Sequence, residues 1–150
     1  MNLRMNYHES NPEAFQAMLA LERFASSRGI DDNLYHLIKT RASQLNGCSF
    51  CVDMHAKSLL ESGESLDRIV LLSVWREAPV FTPVERAVLE LTECVTLLAE
   101  KGVPQEVYDA VRAHFDEKAY VDLIMAINAI NCWNRLGVST GMFPGCMIKA

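Results

Sequence analysis

No stretch of this sequence gathers Lys and Arg, and its 14 basic residues are outnumbered by 19 acidic ones, for a formal net charge of −5. Nucleic-acid binding rests on neutralising phosphates, so this balance argues against a nucleic-acid partner. It argues equally against an anionic membrane surface. Long hydrophobic runs are missing as well. The strongest, around Ile69–Trp75 and Val121–Ile130, are too short to span a bilayer. The first residues, from Met1 to Ser10, have no apolar signal core, so a cytoplasmic protein is expected.

Strand signals are scarce. There is no sustained period-two alternation, and the one Asn-Gly pair, Asn46-Gly47, lies between two helical patterns. Cysteine is present in an odd number, five, whereas a secreted disulfide scaffold normally pairs all of its cysteines. A reducing compartment fits better. There, cysteines are core filler, metal ligands or redox groups, and spacing has to decide which.

Half of the 150 residues are hydrophobic. A chain of this length forms one domain and buries a core without staples. Apolar content this high also predicts self-association. Helix punctuation is frequent. Asn11 and Pro12 open a first helix running to about Ser27, with Gly29 beyond. Asp31 caps a second from Asp32 to Asn46, which carries Leu34, Ile38 and Leu45 as a stripe and stops at Gly47. A third starts near Ser49 and ends before Gly63, and a fourth runs from Leu66 to about Arg76 behind Ser65. Thr82-Pro83-Val84-Glu85 is a capping box that opens a fifth helix to about Glu100. A sixth follows Pro104 to about His114. A seventh runs from Glu117 to Leu136, with Gly137 as its stop and an irregular tail over Val138–Ala150. The expectation is an all-α, single compact domain over 1–150, with its core at about 12–141.

The chemistry is concentrated in Cys48-Ser49-Phe50-Cys51-Val52-Asp53-Met54-His55. At about 100° per residue, Cys48, Cys51 and His55 share one face of a helix. A cysteine pair at i and i+3 can close a disulfide with modest adjustment. Gly47 ends one helix and the pair opens the next, where free N–H groups and the helix dipole stabilise a thiolate. His55 can accept the thiol proton or hold an imidazolium beside the thiolate. Asp53 would oppose this and is expected to face solvent. Zinc is the rival reading, with Cys48, Cys51, His55 and His36 as ligands, but no second ligand pair stands elsewhere in the chain. Two small apolar cysteines beside a surface histidine form the plainest alternative. No phosphate-cradling glycine loop is present, and no cofactor or metal is expected.

The run from Leu37 to His55, with Arg41-Ala42-Ser43-Gln44-Leu45-Asn46-Gly47 leading into C-x-x-C-x-x-x-H, resembles the AhpD-like alkylhydroperoxidase branch of the carboxymuconolactone decarboxylase family. The likeness continues through Trp75-Arg76-Glu77-Ala78, through Phe81–Arg86 and through Ala129–Leu136. The resemblance implies an all-helical fold, homo-oligomers (trimer or hexamer), and peroxide or disulfide chemistry with a hydroperoxide substrate and an external dithiol reductant. It makes Cys51 the peroxidatic thiol, Cys48 the resolving thiol and His55 part of a proton relay with a glutamate. That glutamate normally lies twelve positions before the first cysteine, where this chain has His36. Histidine also carries protons near neutral pH. A thiol–disulfide oxidoreductase or redox sensor uses the same residues. A decarboxylase has no evident use for two vicinal thiols, and a non-catalytic binding protein would not need them.

Other residues carry weaker expectations. Arg41, Ser43, Gln44 and Asn46 either hold the active helix, line the pocket or are solvated. Asn128, Asn131, Asn134 and Arg135 lie on one side of an apolar helix and predict a polar network or a subunit contact. Trp75 and Trp133 are expected in the core. Cys94, Cys132 and Cys146 are expected to be inert, and His8 and His114 carry no role.

Overall fold

The computed structural model describes residues 2–146, whose regular structure is all helical with no strand among them. The helices are α1 (Tyr7–Ser10), α2 (Pro12–Ser26), α3 (Asp32–Asn46), α4 (Ser49–Glu61), α5 (Leu66–Leu71), α6 (Pro83–Thr96), α7 (Leu98–Lys101), α8 (Gln105–Arg112) and α9 (Glu117–Thr140). A 3₁₀ turn, Leu72–Val74, follows α5.

The expected caps are in place. Asn11, Asp31 and Ser65 each accept an N–H from the first turn of their helices, and Asp116, which the sequence reading did not name, does the same for α9. Thr82 and Glu85 form the reciprocal capping box.

Helix ends differ from the sequence reading in four places. The fourth helix gives way at Leu72 to the 3₁₀ turn instead of reaching Arg76. The fifth breaks at Leu97, whose non-helical backbone separates α6 from α7. The sixth stops at Arg112. The seventh runs through Gly137 and ends at Thr140, so part of the expected irregular tail is helix. Residues 147–150 of that tail lie outside the described part. Tyr7–Ser10, given no structure in the sequence reading, forms a short helix capped by Asn6.

The central element is α3, which packs against α4, α6 and α9. One side of it, with Leu34 and Ile38, joins Val88, Leu91, Val107, Val111, Leu123 and Ile127. Another side, with Leu37, meets Leu59, Ile69, Leu72, Trp75, Phe81 and Leu89. Fully burying each such side chain stabilises the fold by about 1.5–3 kcal/mol. These two clusters fix the angle at which α3 hands the chain to α4. A third, smaller cluster joins Ala42 and Ile130 directly to Cys48 and Cys51, so the cysteine pair is built into the core.

A buried polar hub ties the same helices together. The Glu93 carboxylate accepts from Arg41 Nε (2.9 Å), Trp75 Nε1 (2.8 Å) and Lys101 Nζ (3.2 Å), and pairs with Arg76 at 2.9 Å. Burial would raise its pKa, but Trp75, Arg41 and Arg76 hold it down at about 2. Arg41 also donates to Gln44 at 3.0 Å. Arg41 and Gln44 therefore brace α3 against α6. Among the described residues no helix is long and apolar enough to cross a membrane.

Candidate active site

The α3–α4 junction is made by Gly47. Its backbone is left-handed (φ 67°, ψ 27°), a conformation glycine adopts without a Cβ penalty, and its N–H closes α3 onto the Ser43 and Gln44 carbonyls. Cys48 follows as the N-cap of α4, Cys51 lies in the first turn and His55 in the next. The two sulfurs are 2.6 Å apart, and both thiols are free and buried.

The pair shares its charge unequally. The contact with Cys51 is the main force holding the Cys48 thiol down at about 7. The backbone at Cys51 and Phe50 and the Asn134 side chain add to it against the effect of burial. Cys51 is pushed up, first by that same contact and then by burial, while Lys39 pulls the other way.

Helix α9 comes unusually close at Gly137. A Cβ there would lie 3.2 Å from Cys48 Sγ and 4.0 Å from Cys51 Sγ. This glycine therefore does not stop the helix; it makes room for the sulfurs. One turn earlier, Asn46 Nδ2 donates to Asn131 Oδ1 (3.0 Å) and Asn134 Oδ1 (2.9 Å). Asn134 Nδ2 donates to Ser43 Oγ at 2.9 Å, and Asn131 Nδ2 to Thr96 Oγ1 at 3.1 Å. The expected network thus exists around Asn46, Ser43, Asn131 and Asn134, with Asn131 and Asn134 buried. Asn128 and Arg135 stay exposed outside it. Asp53 faces outward and pairs with Lys57 at 2.8 Å.

His55 does not hydrogen-bond either thiol among the described residues. Its Nδ1 lies 3.1 Å from His36 Nδ1, so one ring donates and the other accepts. His36 Nε2 stands 3.8 Å from the Asp32 carboxylate. Burial, then Lys39 and His36, push His55 down to about 3. The imidazolium envisaged beside the thiolate is therefore absent near neutral pH; His55 is a neutral ring. Its Nε2 is buried without a hydrogen-bond partner among the described residues. His36 is also lowered, chiefly by burial. No three His, Cys, Asp or Glu side chains among the described residues converge as a metal-binding set.

A cavity of about 360 Å³ opens on this site. Cys51 lines it and Cys48 does not. Phe15, Phe50, Met54, Trp133 and Met142 make apolar walls. Tyr7 and His8 of α1 close one side, with His8 stacked on Phe15 at 3.9 Å. The remaining polar lining is His55, Glu22 and Lys39. Lys39 is wholly buried, and its ammonium donates to the Glu22 carboxylate. Glu22 also accepts from Tyr35 Oη (2.7 Å) and Trp133 Nε1 (2.9 Å). Burial would raise the Glu22 pKa, but Lys39, Tyr35 and Trp133 together bring it below the usual carboxylate range.

The sequence profile of the Carboxymuconolactone decarboxylase family matches residues 12–93. The uncharacterised protein YdfG of Bacillus subtilis is 43% identical over 141 residues, which cover 94% of this chain and 96% of YdfG. A solved structure from Agrobacterium tumefaciens, of unknown function and suggested to be an antioxidant defence protein AhpD, superposes with a TM-score of 0.93. It is 46% identical, over 95% of this chain and 99% of that one. The chain belongs to the AhpD-like branch of the carboxymuconolactone decarboxylase family. The debrominase Bmp8, at 16% identity and a TM-score of 0.78 over 89% of this chain and 72% of its own, shares the fold alone.

Within this AhpD-like chain the structure brings all four expected site residues into two touching pairs, Cys48 with Cys51 and His36 with His55. Sequence reasoning missed Glu22, Lys39, Tyr7 and His8, and placed Trp133 in the core. Lys39 did leave a signal. It sits one turn from Tyr35 on one side and from Ala42 on the other, both buried, which is an odd place for a lysine. Glu22 left none, because its partners come from α3 and α9.

Proposed function

We propose that this protein is a thiol peroxidase that reduces organic hydroperoxides through the Cys48–Cys51 pair. The observation that carries the reading is the position of Cys51, which touches Cys48 Sγ and also forms part of the wall of the apolar cavity. A substrate oxygen can reach Cys51, whereas Cys48 stands behind it.

In this reading the Cys51 proton shifts to the adjacent Cys48 sulfur, and the Cys51 thiolate attacks the terminal peroxide oxygen. The O–O bond breaks, Cys51 becomes a sulfenic acid and the alkoxide takes a proton to leave as an alcohol. Cys48 loses its proton and displaces hydroxide from the sulfenic sulfur. The S–S bond forms and the hydroxide leaves as water after gaining a proton. An external dithiol then returns the pair to two thiols by exchange and is itself oxidised to a disulfide. In this reading the His36–His55 pair moves protons between the cavity and Asp32 at the surface; the contact between the two rings, and a His55 Nε2 without a partner among the described residues, support it.

A second reading, thiol–disulfide exchange without peroxide turnover, is favoured by one observation: Cys48 is the more acidic thiol. Steady-state assays with cumene hydroperoxide and several dithiol donors separate the two. The peroxidase reading predicts peroxide-dependent dithiol oxidation that is lost in both Cys48→Ser and Cys51→Ser. Disulfide reduction with no peroxide consumption would replace it by the second reading.

A further inference from the structure

His55 cannot supply positive charge to the thiol in this structure: it is neutral, it faces His36 and it makes no bond to sulfur. Among the described residues the cavity wall nevertheless contains one ammonium, that of Lys39. Lys39 has 0% exposure, its ammonium lies 4.5 Å from the centre of the Tyr35 ring, and it is held by a carboxylate that is itself fixed by two further donors. Glu22 keeps 27% of its side chain exposed, but the Lys39 ammonium is wholly buried, and apolar side chains of the same volume are often at least as stabilising as such an ion pair. A buried ammonium that opens onto a reactive thiol calls for a reason other than stability.

We propose that Lys39, held in place by Glu22, is the cation that stabilises the Cys51 thiolate, the part expected of a histidinium at His55. This rests on the reading of Cys51 as the attacking thiol. The helices around Cys51 bring few other charges to it. α3 supplies Lys39 and His36, α4 supplies Cys48 and His55, α2 supplies Glu22, and α1 supplies Tyr7 and His8. α9 contributes Asn134, Gly137 and Trp133, none of which titrates in this range. Glu22 is anionic, Cys48 holds the proton once Cys51 gives it up, and His8, His36 and His55 are all lowered from the ordinary imidazole value, so Lys39 is the sole positive group in the set among the described residues. Glu22 has a positioning role. Its bonds to Tyr35 and Trp133 fix the carboxylate, and the carboxylate fixes the ammonium at the cavity wall. The coupling is mutual, since Cys51 raises Lys39 as Lys39 lowers Cys51.

The test reads thiol acidity without peroxide, so it stands or falls separately from the peroxidase activity. In a Cys48→Ser background, the pH profile of Cys51 alkylation by iodoacetamide gives the apparent thiol pKa. Lys39→Met should raise it by at least about one unit, a roughly tenfold loss of thiolate at neutral pH. His55→Gln should move it by much less. The double variant Lys39→Met/Glu22→Gln removes both charges while keeping the volume, and serves if the single variant does not fold. It too should raise the pKa. In the unaltered protein, the Lys39 Cε resonance should titrate at higher pH with the pair reduced than with the disulfide closed. A Cys51 profile that follows His55→Gln and ignores the Lys39 variants, or a Lys39 titration that is blind to the redox state, would overturn the proposal.

Discussion

Gly137 of α9 faces Cys48 so closely that a single added carbon would stand 3.2 Å from its sulfur. Cys48 has little room to retreat, because Cys51 lies 2.6 Å away beside it and Ala42 and Ile130 pack around the pair. Alanine in a helix interior normally gains up to about 1 kcal/mol over glycine. Here overpacking of roughly 1–3 kcal/mol should outweigh that gain. Gly137→Ala is therefore expected to lower the denaturant midpoint and to slow closure of the Cys48–Cys51 disulfide after mild oxidation. A more stable variant with unchanged closure would show that the sulfurs have room to move.

The histidine pair makes stability depend on pH. His55 falls from 6.5 to about 3 on folding, so between those values the unfolded chain binds more protons than the folded one. Stability is then present above pH 6.5 and is lost as pH falls towards 3, at up to about 1.4 kcal/mol per pH unit for this one group. The lowered His36 adds loss in the same direction. Glu93 loses its contribution only below about 4.5, as pH falls towards its folded value of about 2. Urea unfolding at pH 6.5 and 4.5 therefore isolates the histidines. His55→Gln should flatten the difference, and an equal slope in the variant would contradict the neutral ring.

Asn46 is the keystone of the polar network, since one amide nitrogen serves both Asn131 and Asn134. Asn46→Ala leaves two carbonyl oxygens short of a donor beside the cysteines. Each unsatisfied buried group costs about 1–3 kcal/mol. A loss of at least about 2 kcal/mol is expected by chemical denaturation. Arg135→Ala, on the exposed edge of the same helix, should stay within about 0.5 kcal/mol. Equal effects for the two would remove the network from the account.

Leu66, Val70 and Val74 are exposed by 60%, 63% and 53% and recur every four residues along α5 and the turn after it. An apolar stripe of this kind fits a subunit contact. Light scattering at micromolar concentration is expected to give a mass well above the 16.8 kDa of one chain, reduced by Val70→Glu. A monomer at that concentration would contradict the expectation.

Much of the fold was legible because its signals are local. Asn11, Asp31, Ser65 and the Thr82–Glu85 box each mark a helix start within a few residues, and the structure places a cap at each. The cysteine pair was legible for the same reason, since i, i+3 spacing after a glycine stop brings the two sulfurs together on any helix. Gly137 was misread because glycine breaks an isolated helix by propensity, while here tertiary packing decides and demands the missing Cβ. The partner of His55 was misread for a similar reason. Helical spacing places His55 near Cys51, but only the packing of α3 on α4 turns its ring towards His36. Glu22 is nearly invisible in sequence, being one glutamate on a helix with an exposed outer face whose value comes from Lys39, Tyr35 and Trp133.

The identity of the attacking thiol is the central claim, and access and acidity point to different sulfurs. Cys51 lines the cavity, whereas Cys48 is the more acidic. Single-turnover oxidation with one equivalent of cumene hydroperoxide and a sulfenic-acid trap, followed by peptide mapping, decides between them. The account predicts a trapped sulfenate at Cys51 in Cys48→Ser, and slow, trap-free oxidation in Cys51→Ser. Normal-rate oxidation of Cys51→Ser with the trap on Cys48 would contradict it.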